Sequence, residues 1–528
     1  MADIKDQASS RSAAGVAGAV PTRRGASRGL LLSLICVGIF IVYLDATIVN
    51  VALPAIGNDL GGTLTDLQWV INAYILVFAC LLLTAGALGD TLGRGRVFVA
   101  GLAGFTVASA LCALAPTTGL LFAGRAVQGM FGAVLIPVSL ALANDLYTDA
   151  KGRAKALGIW AGVGGIALVA GPVLGGPLVQ QFGWRSVFWL NVPIGIAVGV
   201  ALLMMPPASV RRPRRLDLVG QFLLVIAIGG LTFGLLEGNV SGWTATRVLV
   251  GFGIAVLALP AFLLWEARVD KPLLPLRLLR YRVVVAACVV NFLGLFGLFG
   301  SLFLLSIYLQ DIQGLSATQT GVRLLALTAT IMVGSYVASV LAAKTGARWL
   351  VVGGSAATAV GLFLLAQIQV GSGFGSYALG LCLLGTGVAF TGAPATVTLM
   401  ASVPPSEAGL VSGVYNTFRQ IGAVFGIALS GLLLIQHMRT ALPAAFAQLP
   451  VTDEQRAGIV DAFATGDTSR SAQLAAPLRR AILDAGSPVF TDGMQLALIV
   501  AGIGAILGGV FAAWLFRSGT PTADVELS

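Results

Sequence analysis

The chain has 528 residues, of which 57% are hydrophobic and only 10% charged, with a mean hydropathy of +0.93, so it lacks the polar surface that a set of water-soluble domains needs. Its formal charge of +10 and pI near 9.7 raise nucleic acid as a partner, but the basic residues lie in short loops between apolar runs. That distribution orients a chain in a bilayer and accounts for the charge without nucleic acid.

A hydrocarbon core of about 30 Å takes roughly 20 apolar residues per helix. In chain order the apolar runs cover 30–53, 67–88, 96–115, 120–142, 156–179, 187–206, 216–236, 246–266, 283–309, 321–343, 348–370, 375–401, 410–436 and 494–516, which predicts an all-α membrane protein of fourteen transmembrane helices. The first 29 residues are polar, and the run after them exceeds the roughly 7 to 15 residues of a signal-peptide core. It is expected to be a retained first span behind a disordered tail.

An even number of spans places both termini on one side. Loops on that side carry Arg94 and Arg96, then Lys151, Arg153 and Lys155, the run Arg211–Arg215, then Arg268, Lys271, Arg277, Arg280 and Arg282, and later Lys344 and Arg348. The opposite short loops carry little beyond Arg185 and Arg247, so the positive-inside rule makes the termini cytoplasmic. The polar connection 437–493 lies on the outer side. Its stretch QLAAPLRRAILDA reads as amphipathic helix, either in a solvated linker or in a cap over an exit.

Two echoes suggest an internal repeat. LGDTLGRGR from Leu88 pairs with LAAKTGAR from Leu341, and the segment from Pro137 to Gly158 pairs with that from Pro394 to Gly413. The expected organisation is a tail 1–29, a six-helix bundle 30–206, an inserted helix pair with flanking loops 207–282, a second six-helix bundle 283–516 and a tail 517–528. Repeat-built carriers place their binding site at the midplane between the halves.

Histidine cannot serve as an intramembrane proton carrier here, because the single histidine, His437, borders the outer connection. Of the 22 acidic residues only Asp45, in VYLDATIVNVALP, stands well inside a span; Asp217, Glu237, Glu266 and Asp311 come closest and still sit at ends. Burial disfavours a charged carboxylate while a nearby arginine or cationic ligand favours it, so proton and cargo can compete for such a group. The alternative is an aspartate that braces the first span. In LLFAGRAVQG, Arg125 lies at membrane depth, where an unpaired charge costs at least about 2.5 kcal/mol. It either meets Asp45 across the bundle, with Gln128 nearby, or snorkels to the surface.

The chain resembles the fourteen-span drug/proton antiporters of the major facilitator superfamily through LDATIVNVALP, GALGDTLGRGR, RAVQG, GPVLGGPL, FGWRSVFWLNVPIG and VYNTFRQIGAVFG. The resemblance implies a proton-coupled exporter of amphipathic or cationic organic compounds in the cell membrane, alternating access between two bundles. It implies Asp45 and Arg125 in proton coupling, and Gly86, Asp90, Gly93, Arg94, Arg96, Gly171, Pro172, Gly175 and Gly176 in conformational gating. Thr91 and Gly95 depart from the family's loop pattern, where basic residues are usual, and Ala167 replaces a glycine of its fifth span. Trp69, Asn72, Gln128, Asn291, Phe292, Tyr308, Tyr415, Asn416 and Arg419 are candidates to line a cargo chamber.

No cofactor is expected, since the proton gradient supplies the energy and no GxxxxGK[ST] phosphate loop occurs. The expected partners are a small-molecule cargo, protons and the lipid bilayer, with the chain acting as a monomer. A dedicated exporter of one metabolite or lipid, or an importer such as a siderophore carrier, is the nearest rival. A membrane enzyme lacks HExxH, an aspartate-rich cation site or a nucleophile motif, and a sensor lacks a sizeable cytoplasmic domain. The five cysteines fall inside apolar runs without CxxC spacing and read as packing residues.

Overall fold

A computed structural model describes residues 28–147, 149–205, 217–270, 272–403, 408–466 and 476–515. Most of both expected tails, and the basic run at 211–215, fall outside the described residues. Inside lipid a backbone can satisfy its polar groups only within a helix or a closed barrel, and this chain is helical throughout the described residues. Its helices are α1 (Arg28–Leu60), α2 (Leu64–Leu92), α3 (Arg94–Ala113), α4 (Thr118–Asp145), α5 (Ala150–Phe182), α6 (Arg185–Trp189), α7 (Asn191–Met204), α8 (Leu218–Ser241), α9 (Thr246–Glu266), α10 (Arg282–Ile307), α11 (Ala317–Thr345), α12 (Arg348–Leu365), α13 (Phe374–Ala401), α14 (Ala408–Ala445), α15 (Asp453–Thr465) and α16 (Ala476–Leu515).

Fourteen stretches are long and apolar enough to cross a membrane, α6 and α7 together forming one of them. Their outer faces are apolar: Leu257, Val256 and Leu507 are mostly exposed, which suits lipid and would be a liability in water. We call the face at which the described chain begins and ends the terminal side, and the other the distal side.

Helices α1 to α7 pack as one bundle and α10 to α14 with α16 as a second, with the pair α8–α9 between them in sequence. The repeat is visible in its turns. Gly93 and Gly346 both take a positive φ, 102° and 80°, and donate their N–H back to Gly89 and Ala342 at 3.0 Å in each case. A Cβ is disfavoured at such angles, so the echoed glycine keeps one backbone shape in both halves.

Prolines create the contacts that hold α1 in place. A proline lacks an N–H and frees the carbonyl four residues before it. Pro54 frees Asn50 O, which accepts from Ser306 Oγ of α10 at 2.5 Å; Pro172 frees Leu168 O, which accepts from Thr47 Oγ1 of α1 at 3.3 Å. The first bond joins the two halves and the second joins α1 to α5.

The halves meet at mid-depth and beyond, toward the distal side. Gln68 Nε2 donates to Ile427 O at 2.6 Å, Gln310 Nε2 to Val51 O at 3.1 Å, and Thr417 Oγ1 to Ala79 O at 3.2 Å. Gly176 of α5 lies against α11, where an added Cβ would sit 2.6 Å from Thr318 Cα and 2.7 Å from Ala317 O, while Gly158 and Gly162 near the terminal end of α5 meet nothing within 4 Å. Gly176→Val is therefore expected to open the distal seam. A cysteine placed by Thr318→Cys, in a background whose five native cysteines are alanines, should then react severalfold faster with an impermeant maleimide; an unchanged rate would contradict the contact.

The inserted pair covers the α2/α14 side of this seam. Gln221 of α8 accepts from Thr84 Oγ1 at 2.5 Å and donates to Cys80 O at 2.8 Å, and α8 also packs on α14. The expected outer connection is more helical than its polarity suggests. Helix α14 continues through His437 to Ala445, α15 rests against it through the Phe446–Phe463 ring contact, and residues from Ala476 form one helix with the final span. Of the stretch QLAAPLRRAILDA, Gln473 to Ala475 lie outside the described residues.

Candidate functional site

Asp45 is fully buried at the centre of the first bundle. A buried carboxylate needs a donor for every lone pair it cannot give to water, and the bundle supplies them from several helices. Arg125 Nη1 of α4 donates to Oδ2 in a short ion pair, while Gln128 Nε2 of α4 and Asn191 Nδ2 of α7 donate to Oδ1 at 2.9 and 3.0 Å. The aspartate is neither open to water nor left unpaired.

The arginine is satisfied in turn. Its Nε donates to Val70 O of α2 at 3.1 Å, its Nη1 also donates to Gln128 Oε1 at 2.7 Å, and its guanidinium lies over the Tyr74 ring at 4.3 Å. Asn191 donates onward to Ser109 Oγ at 3.1 Å, and Ser109 donates to Phe188 O at 2.8 Å. Gly129 presses against the Tyr74 carbonyl, so α2 and α4 approach closely just where the arginine crosses between them. The cluster is neutral overall, one negative charge against one positive. Desolvation cancels much of what such a pair gains, so its retention is not explained by stability alone.

The buried Tyr74 hydroxyl has no hydrogen-bond partner. Asp45, bound by Arg125, Gln128 and Asn191, points into its own bundle.

The gating candidates form two groups. At the terminal side Arg94 donates to Asp90 at 2.7 and 2.9 Å and to Asp145 at the end of α4 at 2.5 Å, tying the α2–α3 turn to α4; Arg96 is exposed. Gly89 presses on Val138 and Gly86 lies near Pro137, both of α4. Toward the distal side, Gly171 and Gly175 lie against Thr47 and Ile48 of α1, whereas the Pro172 carbonyl meets Gly321 and Gly176 meets Thr318 of α11. The GPVLGGPL segment is therefore the surface on which α1 and α11 both bear.

The chamber candidates do not all converge. On α14 Tyr415 Oη accepts from Thr396 at 3.0 Å and donates to Gly392 O at 3.3 Å, and Asn416 Nδ2 donates to Ser412 O at 2.9 Å. Asn291 turns toward α13, where its Oδ1 stands 3.3 Å from a Cβ built on Gly392, and Phe292 sets its ring at a tilt of 42° against Phe425 of α14. Asn72 is fully buried with neither side-chain atom bonded.

Three candidates belong elsewhere. Gln128 is part of the Asp45 cluster. Trp69 packs its ring 6.3 Å from Phe233 of the inserted pair. Tyr308 is drawn into a distal knot, donating to Gln369 O at 2.6 Å and accepting from Gln313 Nε2 at 2.9 Å, next to Arg323 and Tyr377. Asn191, Ser109 and Tyr74 were not among the sequence candidates. A count of the donors that a buried carboxylate requires would have pointed to Asn191 in FGWRSVFWLNVPIG.

A sequence profile of the Major Facilitator Superfamily matches residues 35–427. Over 486 residues the chain is 35% identical to the tetracenomycin C resistance and export protein of Streptomyces glaucescens, covering 91% of this chain and 90% of that one. It is 33% identical over 516 residues to the multidrug resistance protein Stp of Mycobacterium tuberculosis, with 95% of each covered. Among solved structures, a bacterial homolog of the human lysosomal transporter Spinster superposes with a TM-score of 0.64 at 18% identity, over 93% of this chain and 98% of that one.

Proposed function

Because the chain belongs to the Major Facilitator Superfamily, we propose that it is a proton-coupled secondary transporter that exports amphipathic or cationic organic compounds, such as drugs, dyes or antibiotics, by alternating access. The observation that carries this reading is the Asp45–Arg125 pair, an acid and a base held together at the dry centre of the first bundle. The names of the relatives, resistance and export proteins for tetracenomycin C and for multiple drugs, support the direction and the class of cargo.

The basic residues of the terminal-side turns make that side cytoplasmic. Helix α5 touches α11 at Gly176, toward the distal side, while Gly158 and Gly162 near its terminal end meet nothing within 4 Å; this pattern supports uptake of cargo from the cytoplasm. In this conformation Arg125 is bound to Asp45. A proton arriving on Asp45 leaves Arg125 as an uncompensated charge in a water-poor core, a cost of at least about 2.5 kcal/mol. The protonated protein is then driven toward a conformation in which Arg125 finds water or another acceptor.

Both carboxylate oxygens are already occupied by protein donors. Cargo therefore competes with the proton through the conformation of the cluster and need not touch Asp45. The chain's own groups carry the proton, with no cofactor, and one chain holds the whole cluster.

Everted membrane vesicles containing the chain test this reading with ethidium, Hoechst 33342 and tetracenomycin C as cargo. Uptake of at least one into the vesicles should require the proton gradient and stop on addition of nigericin with valinomycin, although ATP remains. Uptake that survives loss of the gradient, or no uptake of any of the three, would contradict it.

A further inference from the structure

We propose that Arg419 forms an anchor for an acidic oxygen on the cargo, so that amphipaths bearing a carboxylate or an acidic enol or phenol are held in preference to their neutral or cationic analogues. The inference rests on the exporter reading and narrows its cargo from amphipathic or cationic compounds to amphipathic acids. Arg419 stands about three turns into α14 from its terminal-side end. Among the described residues it has no carboxylate partner, and its Nε is shut off from solvent without an acceptor. By contrast Arg94, Arg125, Arg185, Arg247, Arg439 and Arg456 are each paired with an acid.

A guanidinium at membrane depth that no protein group neutralises is expected to face a cavity and to serve a ligand. Tyr415 lies one turn before Arg419 on α14 and presents an aromatic ring on the same side of the helix. Asp45, the acid inside the other half, is already bound by Arg125. A planar guanidinium binds carboxylate or enolate oxygens in a two-point fork and stacks on aromatic surfaces. Export of an anion against proton entry also moves two charges with an inside-negative potential, where export of a neutral compound moves one.

The test is equilibrium binding to the full chain in lipid nanodiscs, with empty nanodiscs subtracted, using 1-pyrenebutanoate, 1-pyrenebutanamide and the cation of 1-pyrenebutylamine, read by fluorescence anisotropy. The parent should bind the acid about tenfold or more tightly than the amide, and the amine most weakly. Arg419→Gln should erase the preference by weakening the acid alone, and Arg419→Lys should keep part of it. Equal binding of acid and amide by the parent, tightest binding of the amine, no saturable binding of any probe, or equal weakening of acid and amide by Arg419→Gln would overturn the proposal. No gradient is present in this measurement, so it is separate from the exporter reading: acid preference without proton-dependent uptake in vesicles would refute that reading and not this site.

Discussion

Asp45→Asn is expected to abolish uphill transport while leaving downhill movement within a few-fold of the parent. Moving one proton through 100 mV supplies about 2.3 kcal/mol, enough for a gradient of about fortyfold in an uncharged cargo. A carrier that exchanges no proton can only equilibrate its cargo. The steady-state ratio across energised vesicles should therefore fall from a value of that order to about one. Asparagine still offers Arg125 an oxygen, and Val70 O and Gln128 Oε1 remain as acceptors, so the fold should survive the change. Uphill accumulation by the variant would remove Asp45 from the coupling scheme.

The second large effect is on stability. Arg125→Leu takes away the charge that matches a fully buried carboxylate and also the Val70 and Tyr74 contacts that join α2 to α4. Breaking one side of a buried ion pair costs about 3–5 kcal/mol, which should be visible as a marked fall in the thermal unfolding midpoint of the purified protein. Arg125→Leu combined with Asp45→Leu removes both charges, and stability should return toward the parent while proton-driven transport stays absent. If the double variant is no more stable than the worse single one, the ion pair is not what the bundle depends on.

Much of the fold was readable because lipid imposes a length on each helix, and the fourteen apolar runs matched fourteen spans. Asp45, Arg125 and Gln128 were readable for a related reason. Charged and amide groups in an apolar run stand out, and an isolated acid at depth demands a base. Asn191 and Ser109 did not stand out, being small neutral groups scattered among many; only the arithmetic of donors around a carboxylate singles them out.

Helix facing was the least legible property. A helix apolar all round gives no stripe to say which way Trp69 or Tyr308 turns, and both face structural neighbours. The proline–hydroxyl pairs, Pro54 with Ser306 and Pro172 with Thr47, link residues far apart in sequence through freed carbonyls. Nothing local announces such a pairing. In the outer connection only the stretch QLAAPLRRAILDA read as helix, because polarity marks where lipid ends and not where a helix ends; α14 and the final helix run on past their apolar segments.

The most direct test of the account reads the proton itself. In proteoliposomes loaded with pyranine, adding ethidium to one side should produce a pH change opposite in direction to the cargo's movement in the parent. Asp45→Asn should carry the same cargo downhill with no pH change. A variant that still moves protons in step with cargo would contradict the assignment of Asp45 as the coupling acid.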